Sequence, residues 1–191
     1  MIRCLGMPHR VCPWWLGYLL ASPLRRLMQN PGEIVAPYVH EGMTVLEPGP
    51  GMGFFTLELA RRVGPSGRVV AVDIQPKMLS VLTRRARKAG LGDSVDARLA
   101  QPDSMPLDDL AGAVDFALAF AMVHELPDQA RFFSQVAATL KPGACMLLAE
   151  PAGHVKPPAF DAELAIAAQA GLVLDSRPAV SHCLAALLKR V

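Results

Sequence analysis

The stretch that decides the fold is VLEPGPGMGFF, residues 45 to 55. An apolar run ends in Glu47, glycines follow at positions 49, 51 and 53, and Phe54 opens a helical pattern that continues to Arg62. Glycine removes the Cβ where a ligand must approach the backbone, and the following helix N-terminus favours a negative group such as a carboxylate. The turn therefore reads as a cradle between a first strand, Thr44 to Glu47, and its helix. Twenty residues beyond Gly53, Asp73 closes a second strand, where a carboxylate can accept hydrogen bonds from both hydroxyls of a ribose.

Outward from this unit, strand and helix patterns alternate. Strand Arg68 to Asp73 is followed by helix Pro76 to Ala89, with Gly90 placed as its C-terminal cap, and then by strand Val95 to Ala100. Strand Val114 to Phe120, helix Pro127 to Leu140, a Lys141-Pro142-Gly143 turn and strand Ala144 to Glu150 come next. The run VDFALAFAMV lacks strict alternation, as a central strand covered on both faces does. A last helix spans about Pro158 to Ala170. Two strand patterns, Leu172 to Arg177 and Cys183 to Lys189, are too close for a crossover helix and predict an antiparallel hairpin at the sheet edge. The expectation is an α/β fold: a Rossmann-like, doubly wound, mostly parallel seven-stranded sheet with an antiparallel C-terminal hairpin.

Residues 1 to 42 stand apart as an expected N-terminal helical cap on a core of residues 43 to 191. Trp15, Leu19, Leu24, Leu27 and Met28 form an apolar stripe over residues 14 to 29, and Asn30-Pro31-Gly32 breaks it before a short helix from about Pro31 to Val39. Pro13 and Gly17 interrupt the run after Arg10, and no A-x-A cleavage signature follows, so an amphipathic helix is favoured over a signal peptide.

Composition narrows the function. Charged residues make up 19% and hydrophobic ones 52%, which excludes disorder as the main state. The longest uncharged stretches, Val11 to Leu24 and Leu164 to Leu174, fall short of the roughly 18 residues of a membrane span. A net charge of +2 gives little pull toward nucleic acid. The basic run Thr83 to Lys88 is the solvated face of a helix whose buried stripe is Met78, Leu79, Leu82 and Ala86. Cys4, Cys12, Cys145 and Cys183 show no zinc spacing, so no metal is expected; the compartment reads as reducing and cytoplasmic, and the thiols as incidental.

The acid-x-G-x-G-x-G turn, Asp73, the Leu140-Lys141-Pro142-Gly143 turn and the terminal hairpin together resemble the class I S-adenosylmethionine-dependent methyltransferases. The likeness is to the small ubiquinone/menaquinone-type, or type 11, domains and covers about residues 30 to 191. A nicotinamide dinucleotide site would want a third glycine where Phe54 stands, which disfavours that cofactor. The resemblance implies S-adenosyl-L-methionine as cofactor, with Glu47 and the backbone of Gly49, Gly51 and Gly53 around its methionine part. It further implies Asp73 on the ribose, Ile74 against the adenine and Phe120 bordering the sulfonium. Where the family often has Gly-Asp-Ala after the third strand, this chain has Ala100-Gln101-Pro102. Gln101 then becomes the acceptor for the adenine amino group, with Asp103 as a substitute. Pro48 and Pro50 stiffen the turn.

His124, just past the fourth strand at the carboxyl edge of the sheet, is the catalytic candidate, with fixing the loop as its alternative role; Glu125 is read as a cap for the next helix. Trp15 and Tyr18, with Trp14, are candidates to line a substrate pocket. The expected activity is methyl transfer to a small-molecule acceptor, small because only residues 1 to 42 remain to roof the pocket. The alternatives are an RNA or protein methyltransferase working with a partner, and a silent cofactor-binding module. The lack of an Asn-Pro-Pro-Tyr-like motif after the fourth strand argues against an amino-purine methylase.

Overall fold

The computed structural model describes residues 29 to 191. The elements, in chain order, are α1 (Pro31–Val35), β1 (Thr44–Pro48), α2 (Thr56–Val63), β2 (Arg68–Asp73), α3 (Pro76–Lys88), β3 (Val95–Leu99), β4 (Val114–Phe120), α4 (Gln129–Thr139), β5 (Leu140–Pro151), α5 (Pro157–Gln169), β6 (Leu172–Ser176) and β7 (Cys183–Arg190). The strands form one seven-stranded sheet in the order β3-β2-β1-β4-β5-β7-β6. β1 pairs in parallel with β2 and β4, β2 with β3 and β4 with β5, whereas β7 runs antiparallel to both β5 and β6. The expected hairpin is present, with β7 inserted beside β5 and β6 forming the outer edge.

Both faces of the sheet are buried over its central strands, and β1, β2, β4, β5 and β7 divide their side chains between them. Phe116 and Leu118 of β4 pack with Leu59, Ala60 and Val63 of α2, while Ala117 and Ala119 pack with Phe133 and Val136 of α4 and Phe160 of α5. This two-sided burial explains the missing alternation in β4. Val35 and Val39 are buried in the α2-side cluster and Tyr38 stacks on Phe116 at 5.4 Å, so the described end of the segment expected as a cap belongs to the packing of the sheet. The expected helix over residues 14 to 29, and with it Trp15 and Tyr18, lies outside the described residues, Gln29 apart.

α3 ends as its sequence predicts. Gly90 has φ 71°, Leu91 N–H donates to the Ala86 carbonyl at 2.9 Å and Gly90 N–H to that of Arg87 at 3.0 Å, the paired bonds of a Schellman cap. Two local expectations are corrected. Lys141-Pro142-Gly143 is not a separate turn but part of β5: Leu140 pairs with Val114 and Cys145 with Phe116, so the intervening residues bulge from a continuous strand, with Gly143 at φ 78°. The helix expected from Pro127 begins at Gln129, and its cap is Asp128, whose side chain accepts Arg131 N–H at 2.9 Å. Glu125 instead lies in a short 3-10 turn, Val123–Glu125.

Candidate active site

The carboxyl ends of β1, β2 and β4 open onto a cavity of about 480 Å³. Its walls include the turn from Pro48 to Met52, Asp73 and Ile74 after β2, Gln101 to Met105 after β3, Phe120 to Met122 after β4, and Glu125. Open α/β sheets bind ligands where strand order reverses, and here that point lies between β1 and β4.

The three turn glycines share a left-handed backbone, with φ of 68°, 54° and 83°, but for different reasons. A Cβ on Gly49 would lie 3.1 Å from Met122 Cβ and Cγ, and one on Gly53 would lie 3.3 Å from Leu82 Cγ. These two make room for the protein's own side chains. A Cβ on Gly51 would meet nothing within 4 Å, so the backbone left open to a ligand is at Gly51. The turn is tied down by Gly49 N–H to the Val72 carbonyl at 2.8 Å, by Gly53 N–H to that of Pro50 at 3.0 Å, and by the Arg85 guanidinium on the Met52 carbonyl.

Two carboxyls flank this turn. Asp73 accepts Gly51 N–H at 3.2 Å and Gln75 N–H at 2.8 Å; burial raises its pKa and the backbone N–H groups oppose the rise. Glu47 is 4% exposed, and its Oε2 is buried without a hydrogen-bond partner. Burial pushes its carboxyl up to about 8, and the charge of Asp73 adds to that effect. A buried acceptor left unpaired costs about 1–3 kcal/mol, and a cationic donor such as the α-ammonium of an amino acid would recover it. Gly51 lines the cavity, whereas Glu47, buried at the end of β1, is not among the lining residues; an open backbone and an orphaned buried oxygen on one turn are the features that fit the methionine part of S-adenosylmethionine.

Ile74, 41% exposed, and Gln101 both line the cavity, as does Phe120, whose ring lies 4.5 Å from that of Phe55. Gln101 sits in a tight two-residue bridge with Ser104. Asp103 lines the same end, 3.9 Å from Arg131. Phe54, in place of a third dinucleotide-type glycine, is buried.

His124 follows a sharp turn. Ala121 has φ 57°, the left-handed region that an L side chain rarely takes, and its N–H donates to the Ala149 carbonyl at 2.7 Å. The turn leaves His124 outside the cavity lining and Glu125 in it. His124 Nδ1 instead bonds the carboxyl of Glu150, which is fully buried at the end of β5 and also accepts Val123 N–H at 2.8 Å. That bond raises the histidine's pKa, with burial opposing. Glu150 was not among the candidates read from the sequence. Its signal was an acid ending the buried run Met146 to Ala149, a position that an unpaired carboxyl does not tolerate. Among the described residues, no cluster of three or more His, Cys, Asp or Glu side chains is arranged to hold a metal ion.

Residues 39–177 match the family model of the methyltransferase domain, and the chain belongs to that family. It is 32% identical over 143 residues to a ubiquinone biosynthesis O-methyltransferase of Methylocella silvestris, an alignment covering 74% of this chain and 53% of that one. It is 30% identical over 109 residues to an arsenite methyltransferase of Halobacterium salinarum, covering 57% of this chain and 27% of the other. The chain thus spans about half of the first relative's length and about a quarter of the second's. Among solved structures, a SAM-dependent methyltransferase from Aquifex aeolicus superposes with a TM-score of 0.84 at 25% identity, over 95% of this chain and all of that one.

Proposed function

We propose that this chain catalyses transfer of a methyl group from S-adenosylmethionine to a small-molecule acceptor. The observation that carries the reading is the open, left-handed Gly51 backbone, which donates to Asp73 on the wall of a cavity of about 480 Å³. In this reading Glu47 and the Gly49–Gly53 turn hold the amino-acid end, Asp73 the ribose, Ile74 and Gln101 the adenine, and Phe120 borders the sulfonium. Once bound, the cofactor supplies an activated methyl carbon, to which an acceptor lone pair bonds as the electrons of the carbon–sulfur bond leave with sulfur. The residues of the chain position the acceptor and exclude water.

A small acceptor is supported by the modest volume of the cavity and by the relatives, whose names speak of ubiquinone biosynthesis and of arsenite. The roof in this proposal is the segment expected as a cap, residues 1 to 42. Calorimetry with S-adenosylhomocysteine and NAD tests the cofactor: tighter binding of NAD overturns it. Release of S-adenosylhomocysteine is then measured with a catechol, a quinol, arsenite and a thiol. A chain starting at Pro31 keeps its S-adenosylhomocysteine affinity and loses transfer; full transfer by that chain removes the roof.

A further inference from the structure

Glu150 uses both oxygens within the protein, Oε1 on Val123 N–H at 2.8 Å and Oε2 on His124 Nδ1. This fixes the ring with Nδ1 inward and Nε2 outward. Nε2 lies 4.0 Å from Oε1 of Glu125, and Glu125 walls the cavity that His124 itself does not line. The imidazole therefore stands between a fully buried carboxyl and one that lines the cavity.

Other titratable groups surround it. Glu163 of α5 acts on His124 through its charge; its Oε2 is buried and unpartnered, while its Oε1 accepts from Gln129 Nε2 at 3.4 Å. Burial pushes Glu163 up to about 7, so it adds little negative charge on the acid side of neutrality. The His154 ring is 6.1 Å from that of His124, centroid to centroid. Glu150, Glu125 and Glu163 all favour a proton on His124.

We propose that Glu125 is the residue that meets the acceptor and takes its proton, and that Glu150 is a positioning residue acting on Glu125 through His124. The proposal rests on the methyl-transfer reading. Among the carboxyls that line the cavity, Asp73 holds Gly51 and Gln75 and feels the charge of Glu125, Asp128 caps α4, and Asp103 lies 3.9 Å from Arg131. Glu125 is the one that reaches the His124–Glu150 pair, through the 4.0 Å approach of Nε2. The 4.0 Å approach of Nε2 to Oε1 places the Glu125 carboxyl between His124 and the cavity that it lines. The acceptor's X–H proton passes to a Glu125 oxygen, the X lone pair forms the bond to the methyl carbon, and the carbon–sulfur pair leaves on sulfur, cancelling the sulfonium charge. Glu125 then returns the proton to water.

The test follows the imidazole NMR signals of the full chain against pH in wild type, Glu150→Gln and Glu125→Gln. The expected result is a loss of about tenfold in the proton affinity of His124, one pKa unit, in Glu150→Gln, and of about two- to threefold in Glu125→Gln. The imidazole 15N signals of His124 should report a single tautomer in wild type and a mixture in Glu150→Gln. The S-adenosylhomocysteine affinity of Glu150→Gln should stay within twofold of wild type, showing that the cofactor site is intact. An unmoved His124 in Glu150→Gln overturns the positioning role, and an unmoved His124 in Glu125→Gln overturns the link to the cavity. With any acceptor that is turned over, Glu125→Gln should lower kcat about 100-fold or more with little change in KM; wild-type kcat in that variant overturns its role as proton acceptor. Failure of wild type to bind S-adenosylhomocysteine strikes the methyl-transfer reading instead, whatever His124 does.

Discussion

The backbone N–H of Gly51 donates to Oδ2 of Asp73 at 3.2 Å, tying the most open point of the glycine turn to the end of the neighbouring strand. One carboxyl thereby shapes the cradle and faces its contents. Asp73→Ala should weaken S-adenosylhomocysteine binding by about 1.5–3 kcal/mol, the scale of hydrogen bonds to a charged group. The variant should also melt earlier, because Gly51 and Gln75 lose an acceptor. Calorimetry and a thermal melt on the same sample check both, and an unchanged affinity in a folded variant removes Asp73 from the site.

The three turn glycines should respond differently to alanine. At Gly51 the added methyl finds open space, so Gly51→Ala pays mainly the left-handed backbone cost of roughly 1–2 kcal/mol and intrudes on the ligand. Gly49→Ala pays the same backbone cost and must also displace Met122. Gly49→Ala should therefore lower Tm more than Gly51→Ala does, while Gly51→Ala should still fold and lose S-adenosylhomocysteine affinity. Equal melts would contradict the packing role of Gly49.

Glu47 carries a pH signature. With its folded pKa raised to about 8 from an ordinary value near 4.5, the folded state holds a proton between those limits that the unfolded chain has released. Stability therefore falls as pH rises from about 4.5 to 8, and Glu47→Gln should flatten that part of the Tm profile. An ammonium arriving beside Oε2 favours the charged form, so binding S-adenosylhomocysteine at pH 7 should release a proton. Calorimetry in buffers of different ionisation enthalpy measures it, and the same release from Glu47→Gln would rule Glu47 out as its source.

Gly67 is needed for space. A Cβ there would lie 2.6 Å from the Met43 carbonyl oxygen and 2.7 Å from Val63 Cβ, where α2 hands over to β2. Gly67→Ala should destabilise the fold by about 1–3 kcal/mol or more, read as a lower urea midpoint with cofactor affinity retained in the folded fraction. A wild-type midpoint would show that the loop relaxes freely.

What the sequence disclosed was governed by short range. The glycine turn, Asp73 at the end of β2 and the Schellman end of α3 depend on neighbours within a few residues, and each stood in the sequence as it stands in the fold. The roles of Gly49 and Gly53 did not, because the side chains they admit, Met122 and Leu82, come from distant parts of the chain. His124 was conspicuous while its partner Glu150 was hidden in an apolar strand 26 residues on. The helix start was misplaced between Glu125 and Asp128 because both acids precede the helix, and only the backbone after Ala121 decides which one caps it. Lys141-Pro142-Gly143 has turn chemistry, yet pairing of Leu140 with Val114 draws it into the sheet.

The insertion of β7 between β5 and β6 bears on synthesis. A ribosome releases β5 and then β6 before Cys183–Arg190, so the flank of β5 that β7 will occupy stays unpaired while translation proceeds. Over that interval the segment Met146 to Ala149, fully buried in the finished protein, borders an open row of backbone donors and acceptors. A nascent chain stalled before residue 183 is thus a sticky, unfinished sheet. A strand that emerges after both of its neighbours is the one that seals it, which makes this step the natural point for a chaperone to hold the chain and for aggregation to compete with folding.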